Sequence, residues 1–247
     1  MNKICSLNFN IDQWQLTTSK ELTSQDWEQD LPYWLENVKN REVQKPKLEF
    51  LNLKERRRLS ENARLIFASA WNLTSKEENL PIVYASVNGE VNRSFKLYQD
   101  FLNTGMISPT SFSLSVHNAI VGNWSIIRNI TNETTAISST FDNLEVSLLE
   151  AYCLLNEGFN KVLVILSESE IDSQYQELKH ITHRPIFSYA LTLVITQGSS
   201  YNLTLVGDNC TSEIFFDNNL QFVKAQYLNL KQWQSRANKG TWIWTKA

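Results

Sequence analysis

A chain of 247 residues, 42% hydrophobic and 11% aromatic, can bury a substantial core as one domain or one and a half. A formal charge of -3 and a pI near 5.7 argue against nucleic acid as the main partner, because phosphate binding calls for a clustered cationic surface. No stretch approaches the length that spans a bilayer and no basic segment joins an apolar run near residue 1, so a cytoplasmic protein with no membrane span is expected.

In chain order, Lys3 to Phe9 alternates imperfectly and predicts a first strand. Trp14 and a polar run through Asp30 follow as loop or short helix, with Pro32 and Pro46 marking a connection. From Leu53, the residues Leu59, Ala63, Ile66, Phe67 and Ala70 recur at three and four, which predicts one helix ending near Asn72. Pro81 to Ala85 is a short apolar run of the kind found in strands covered on both faces. Gly89 permits a turn, and Ser94 to Leu102 reads as a helix.

Helix 115–127, strand 134–139, helix 142–156 and strand 161–167 continue an alternation that implies a sheet with helices on both sides. Tyr189 to Thr196 and Tyr201 to Val206, joined by Gln197 to Ser200, predict an antiparallel hairpin. The expected organisation is a main unit over 1–207 and an irregular C-terminal extension over 208–247, packed on this unit or on a partner. No internal repeat or low-complexity linker is present.

Several residue clusters invite a chemical reading. Cys5, Cys153 and Cys210 are too few and too scattered for a disulfide framework or a zinc site. His180 and His183 are three apart, which suits a metal only if a third ligand converges, so no metal is expected. Asp142, Glu145 and Glu150 lie on the predicted helix 142–156; acids in a first turn favour the helix dipole, and Asp142 reads as a structural cap. Lys54 to Arg58 is the one basic cluster and reads as a solvated helix face, or as a surface for an acidic partner. The Asn-x-Ser/Thr triplets reflect an asparagine-rich composition in a chain with no secretory signal.

Residues 108–158 resemble the core of the ketosynthase family, in which Ser-Pro and a loop lead into a helix carrying Asn-x-x-x-Gly, here Asn118 and Gly122. In that family a strand then leads to a tip where a nucleophilic cysteine sits on a helix N-terminus. Counting from Gly122 without a gap, this chain has Phe141 there. A thiolate at a helix N-terminus gains from the dipole, and phenylalanine offers no nucleophile, so the resemblance implies an inactive homologue with no catalytic residue. The run SPTSFSLSVHNAIVGNWSI, Ser86 to Glu90 and Trp242 to Trp244 are similar to the short ketosynthase-like proteins of aryl polyene clusters, which resemble chain length factors.

That resemblance implies an α/β, thiolase-like N-terminal half with a mixed five-stranded sheet and the second half missing. No histidine follows residue 210, so the decarboxylating histidines of a second half are not expected here. The implied partners are a full-length ketosynthase, as a heterodimer, and acyl carrier protein through that complex, with no cofactor. Phe112, His117, Trp124 and Phe141 would line the acyl tunnel, although His117 also reads as a structural histidine held by a backbone carbonyl. Asn118, Gly122, Thr134, Thr135, Ala136, Ile137, Ser138 and Ser139 would form the dimer interface. The alternatives are a pure scaffold for a ketosynthase, and a stand-alone hydrolase using Ser138 or Ser139 with His117.

Overall fold

The computed structural model describes residues 2–175, 177, 183–207 and 217–247. Its frame is a mixed sheet of seven strands, two more than the sequence predicts. Strands β2 (Ile82–Ala85), β3 (Thr134–Ile137) and β4 (Lys161–Glu168) are parallel in the order β3-β2-β4. The sheet continues antiparallel through β5 (Tyr189–Val206), β7 (Gly240–Lys246) and β6 (Gln232–Ala237), while β1 (Lys3–Thr18) runs antiparallel along β5.

Strand periodicity divides the core in two. In β4, Val162, Val164 and Leu166 face one cluster while Leu163 and Ile165 face the other; in β2, Val83 and Ala85 oppose Ile82 and Tyr84. Both faces are therefore apolar and both are covered by helices, which is why these strands read as continuous hydrophobic runs. One face takes α7 (Asn143–Asn156) and α8 (Asn218–Tyr227), packed through Leu144, Leu148, Ala151, Phe222 and Val223. The other takes α3 (Glu61–Ala70) and α6 (Ala119–Arg128), through Ile66, Phe67, Val121 and Trp124. The remaining helices are α1 (Leu31–Tyr33), continuing into a π-helical turn, and the largely exposed α4 (Val91–Thr104) and α5 (Pro109–Ser113).

Three sequence expectations are corrected. The helix from Leu53 is two helices, α2 (Leu53–Arg58) and α3, because Leu59 is extended and the Ser60 side chain caps a fresh start by accepting from Ala63 N at 3.1 Å. The hairpin over 189–206 is instead one long strand. β1 supplies a partner on both sides of residues 197–200, which are absorbed where the register jumps from Tyr201↔Phe9 to Thr196↔Asn10. Asn10 fills that bulge, donating to Gln197 O at 3.1 Å and accepting from Ser200 N at 3.0 Å.

The third correction concerns the C-terminal segment, expected to be irregular. Its described part, 217–247, forms α8 and the β6–β7 hairpin, which extends this chain's own sheet at β5. Gly240 makes the hairpin's approach possible: its φ is +119°, and a Cβ there would lie 2.1 Å from Val206 O.

Glu145, wholly buried in α7, fastens this segment. Its carboxylate accepts from Asn218 Nδ2 at 3.0 Å, from Trp244 Nε1 at 3.2 Å and from the Ser235 hydroxyl, so α8, β7 and β6 converge on one side chain. Every neighbour is a donor. Glu145→Gln would turn an amide N–H toward one of those donors, and a buried unsatisfied polar group costs about 1–3 kcal/mol. The variant is expected to unfold at lower urea than wild type with an unchanged slope; an unchanged midpoint would remove Glu145 from this role.

Candidate functional site

The parallel strands end at a pocket, the place where open α/β sheets leave a crevice. It is a cavity of about 340 Å³, lined by Val87 after β2, Thr140, Phe141 and Asn143 around the start of α7, and Glu168 at the end of β4. His183, Asp217, Asn218, Asn219 and Arg236 complete it. Phe141 is 37% exposed, and the Arg236 guanidinium lies 3.8 Å from its ring centroid, a cation–π contact on one face of the ring.

Behind Phe141 lies a buried polar floor. Glu168 is 1% exposed and accepts from Val87 N at 2.6 Å, Asn88 N at 3.3 Å and Ser86 Oγ at 3.4 Å. The Ser86 to Glu90 segment thus wraps a carboxylate, with Gly89 N donating to Ser86 Oγ at 2.8 Å to tighten the turn. Burial outweighs these donors and pushes the Glu168 carboxyl up to about 7. His183 Nε2 stands 4.0 Å from Glu168 Oε2 and 3.7 Å from Asp217 Oδ2. Asp217 caps α8 through Leu220 N at 2.8 Å and accepts from the Tyr189 hydroxyl at 2.6 Å, while Asn219 Nδ2 donates to that hydroxyl at 2.9 Å.

The residues singled out from sequence separate here. Phe141 lines the pocket; Phe112, on α5, is 58% exposed and outside it. Trp124 is 1% exposed in the α3–α6 core, edge-on to Phe67 at 5.0 Å and to Trp71 at 6.0 Å, because α6 turns its apolar face inward. His117 is held structurally, its Nε2 bonded to Ser86 O at 3.0 Å and its ring 5.3 Å from Tyr84. A Cβ on Gly89 would meet this ring at 2.9 Å.

Helix α6 starts at Ala119, four residues later than predicted, so Asn118 sits at its N-cap position, where its carbonyl accepts from Gly122 N at 3.0 Å. Thr134, Thr135, Ala136 and Ile137 form the edge strand β3, and Ser138 and Ser139 lie beyond it. Ser139 bonds Asp142, not His117, so the serine–histidine pairing of a hydrolase is not assembled. Asp142 occupies the N-cap position of α7 without capping it; its carboxylate accepts from Trp242 Nε1 at 3.0 Å and from Ser139 Oγ. The expected helix cap is instead a tie to the C-terminal hairpin.

Sequence reasoning missed Glu168, Asp217, Asn219 and Arg236 as a group. The one local signal was an apolar strand ending in a carboxylate, Val162 to Glu168. His180 lies outside the described residues, and among the described residues no group of three His, Cys, Asp or Glu is arranged to hold a metal ion. Among them, too, no helix is long and apolar enough to cross a membrane.

Residues 25–245 match the beta-ketoacyl synthase N-terminal domain. The chain belongs to that family. A structure of a ketosynthase (ApeO) in complex with its chain length factor (ApeC) from Xenorhabdus doucetiae is similar at 26% identity and a TM-score of 0.80, covering 97% of this chain and 100% of that one. The ishigamide ketosynthase/chain length factor shares the fold at 11% identity and a TM-score of 0.60, covering 81% of this chain and 68% of that one. A type II acyl carrier protein–ketosynthase complex, AntDE:AntF, shares it at 12% identity and 0.61, covering 89% and 72%. No curated protein matches the sequence.

The family's thiolase-like α/β arrangement is therefore the fold of this chain, with the strand β3, tip and helix α7 in the expected succession. Its pH response follows from the buried carboxyls. Glu145 and Glu168 are both pushed up to about 7 by burial, against 4.5 when exposed, so between those limits the native state binds more protons than the unfolded chain. Their contribution is complete below about 4.5 and is lost as pH rises through about 7. Asp26, held far below its usual range by Arg41, stays ionised across that window and adds no slope. The urea midpoint is expected to be higher at pH 5 than at pH 8; a flat or rising profile would contradict this.

Proposed function

We propose that this chain is a non-catalytic chain length factor that pairs with an active ketosynthase and shapes the cavity holding a growing polyketide or aryl polyene chain. The observation that carries this reading is Phe141, which stands on the turn between β3 and α7, where the sequence resemblance would put the family's nucleophile. Two features of the tip agree. Arg236 covers the Phe141 ring, and the Asp142 carboxylate beside the helix N-terminus is locked to Trp242, so the positive end of the helix already faces a negative group.

Support for a partner lies at the opposite edge of the sheet from β6. β3 is the terminal strand, with no described strand on its outer side, and an unpaired edge is a template for pairing with another chain. Nearby in sequence, Tyr98, Leu102, Met106, Phe112 and Ile126 are each at least 58% exposed, an unusual density of apolar side chains in contact with water. A full-length ketosynthase is the partner proposed for this face, in keeping with the similar ketosynthase–chain length factor complex, and acyl carrier protein is proposed to deliver the cargo, in keeping with the similar acyl carrier protein–ketosynthase complex. Phe112 and Phe141 are the bulky, solvent-reaching side chains proposed to limit the tunnel.

A pure scaffold would leave product length untouched, and that is the deciding measurement. Because Phe112 and Phe141 are partly exposed, truncation should cost less than the roughly 3–5 kcal/mol of a fully buried Phe→Ala. In variants that still copurify with the ketosynthase, Phe112→Ala or Phe141→Ala is expected to lengthen the polyene, seen as higher product mass and a red-shifted absorption. A wild-type product distribution from both would make the chain a scaffold.

The second expectation concerns chemistry. The purified chain should take up no acyl group from an acyl thioester, and Phe141→Cys should not create a condensing enzyme, since a thiol there would sit beside the Asp142 carboxylate, which disfavours the thiolate. Intact-mass detection of a stable acyl adduct on the wild-type chain would overturn the non-catalytic assignment.

A further inference from the structure

Two carboxylates flank one imidazole in the pocket beside Phe141. His183 Nε2 stands 4.0 Å from Glu168 Oε2 and 3.7 Å from Asp217 Oδ2, with the three side chains 18%, 1% and 11% exposed. That nitrogen is buried and has no hydrogen-bond partner among the described residues. The three residues come from the end of β4, the approach to β5 and the start of α8, and all of them line the pocket. As a neutral acceptor, Nε2 would turn a lone pair toward two acids. In an imidazolium it turns an N–H and a positive charge toward both, where shielding by water is weak.

We propose that His183 is a proton-operated clasp on this pocket: the charged ring holds the end of β4 to the start of α8, and the neutral ring releases them.

Each partner is anchored firmly enough to transmit the tie. Glu168 accepts from Val87 N, Asn88 N and Ser86 Oγ, and Asp217 accepts from Leu220 N and the Tyr189 hydroxyl. The residue that carries the ring is held as well, since Asn88 Nδ2 donates to His183 O at 3.0 Å. The other ionisable groups at the pocket do not replace the ring. Burial raises the Tyr189 hydroxyl well above its usual range, so it stays a neutral donor to Asp217, and the Arg236 guanidinium lies over the Phe141 ring.

Histidine is the side chain whose charge ordinarily changes between pH 5 and 8. Glu168 changes in the same range, because burial pushes its carboxyl up to about 7. The two changes reinforce each other. With a proton on the ring, Asp217 is its ion-pair partner; with the ring neutral and Glu168 ionised, two carboxylates repel across it. The tie is therefore present at pH 6 and lost as pH rises through about 7. The clasp lies wholly within this chain, so the inference stands whether or not the chain sets product length.

A double-mutant cycle tests this. His183→Gln and Asp217→Asn both keep polar side chains, and asparagine still serves as a helix N-cap. At pH 6 the two changes together should cost less than the sum of each alone, a coupling of at least about fivefold in the unfolding equilibrium constant from urea curves. At pH 9 the two costs should simply add. An equal coupling at both pH values, or none at pH 6, would overturn the proposal. If a variant does not fold, NMR of the wild-type chain decides: the Leu220 amide, bonded to Asp217, should titrate with the same midpoint as the His183 ring. A ring that does not titrate between pH 5 and 9, or a Leu220 amide that holds its shift while the ring titrates, would equally overturn it.

Discussion

The buried carboxylate of Glu145 is the contact on which the rest of the architecture depends. A carboxyl group in a core is penalised unless its polar atoms find hydrogen-bond partners, and burial here raises the Glu145 carboxyl to about 7. Here the donors come from three elements that follow it by more than seventy residues: Asn218 on α8, Ser235 on β6 and Trp244 on β7. Aromatic packing completes the joint, with Trp244 stacked on Trp233 at 5.1 Å and tilted against Phe222 at 5.5 Å. Helix α7 cannot shift without breaking this set, and its N-terminus presents Phe141. The position of the functional tip is therefore fixed from the far end of the chain.

The same logic explains which parts of the fold were legible in the sequence. β2 and β4 were readable because both faces are covered, so each is an uninterrupted apolar run bounded by polar residues. The segment read as a helix over 142–156 is α7, and its start at Asn143 lies one residue from the expected boundary. The long β1–β5 pairing was not readable, because Gln197 to Ser200 has the composition of a turn and becomes a bulge only when β1 supplies a partner on both sides of it. The break at Leu59 and Ser60 was hidden because the apolar spacing continues across it while the cap does not announce itself by pattern.

The site was legible only in part, and for a related reason. Phe141 could be placed because the family register between Gly122 and the tip needs no gap. For Trp124 the family register gives the helix but not which face of it is buried, and packing against Phe67 and Trp71 decides that. Glu168, Asp217 and Asn219 come together from the ends of β4 and the start of α8, and no spacing in the sequence encodes such a meeting. Buried polar groups are found by asking what satisfies them, a question that requires coordinates.

These observations also bear on the charge balance at the turn before α7. A helix N-terminus carries a dipole that favours a negative charge at its tip. In this chain that favour is already taken by Asp142, whose carboxylate is bonded to Trp242 on β7 and to Ser139 on the approach to the tip. The Arg236 guanidinium, on β6, then covers the phenylalanine ring. Both hairpin strands thus contribute to the tip, and the hairpin is itself held by Glu145. The surroundings of Phe141 are thus distributed over α7, β6 and β7, and a substitution at position 141 alone would leave Asp142, Trp242 and Arg236 in place.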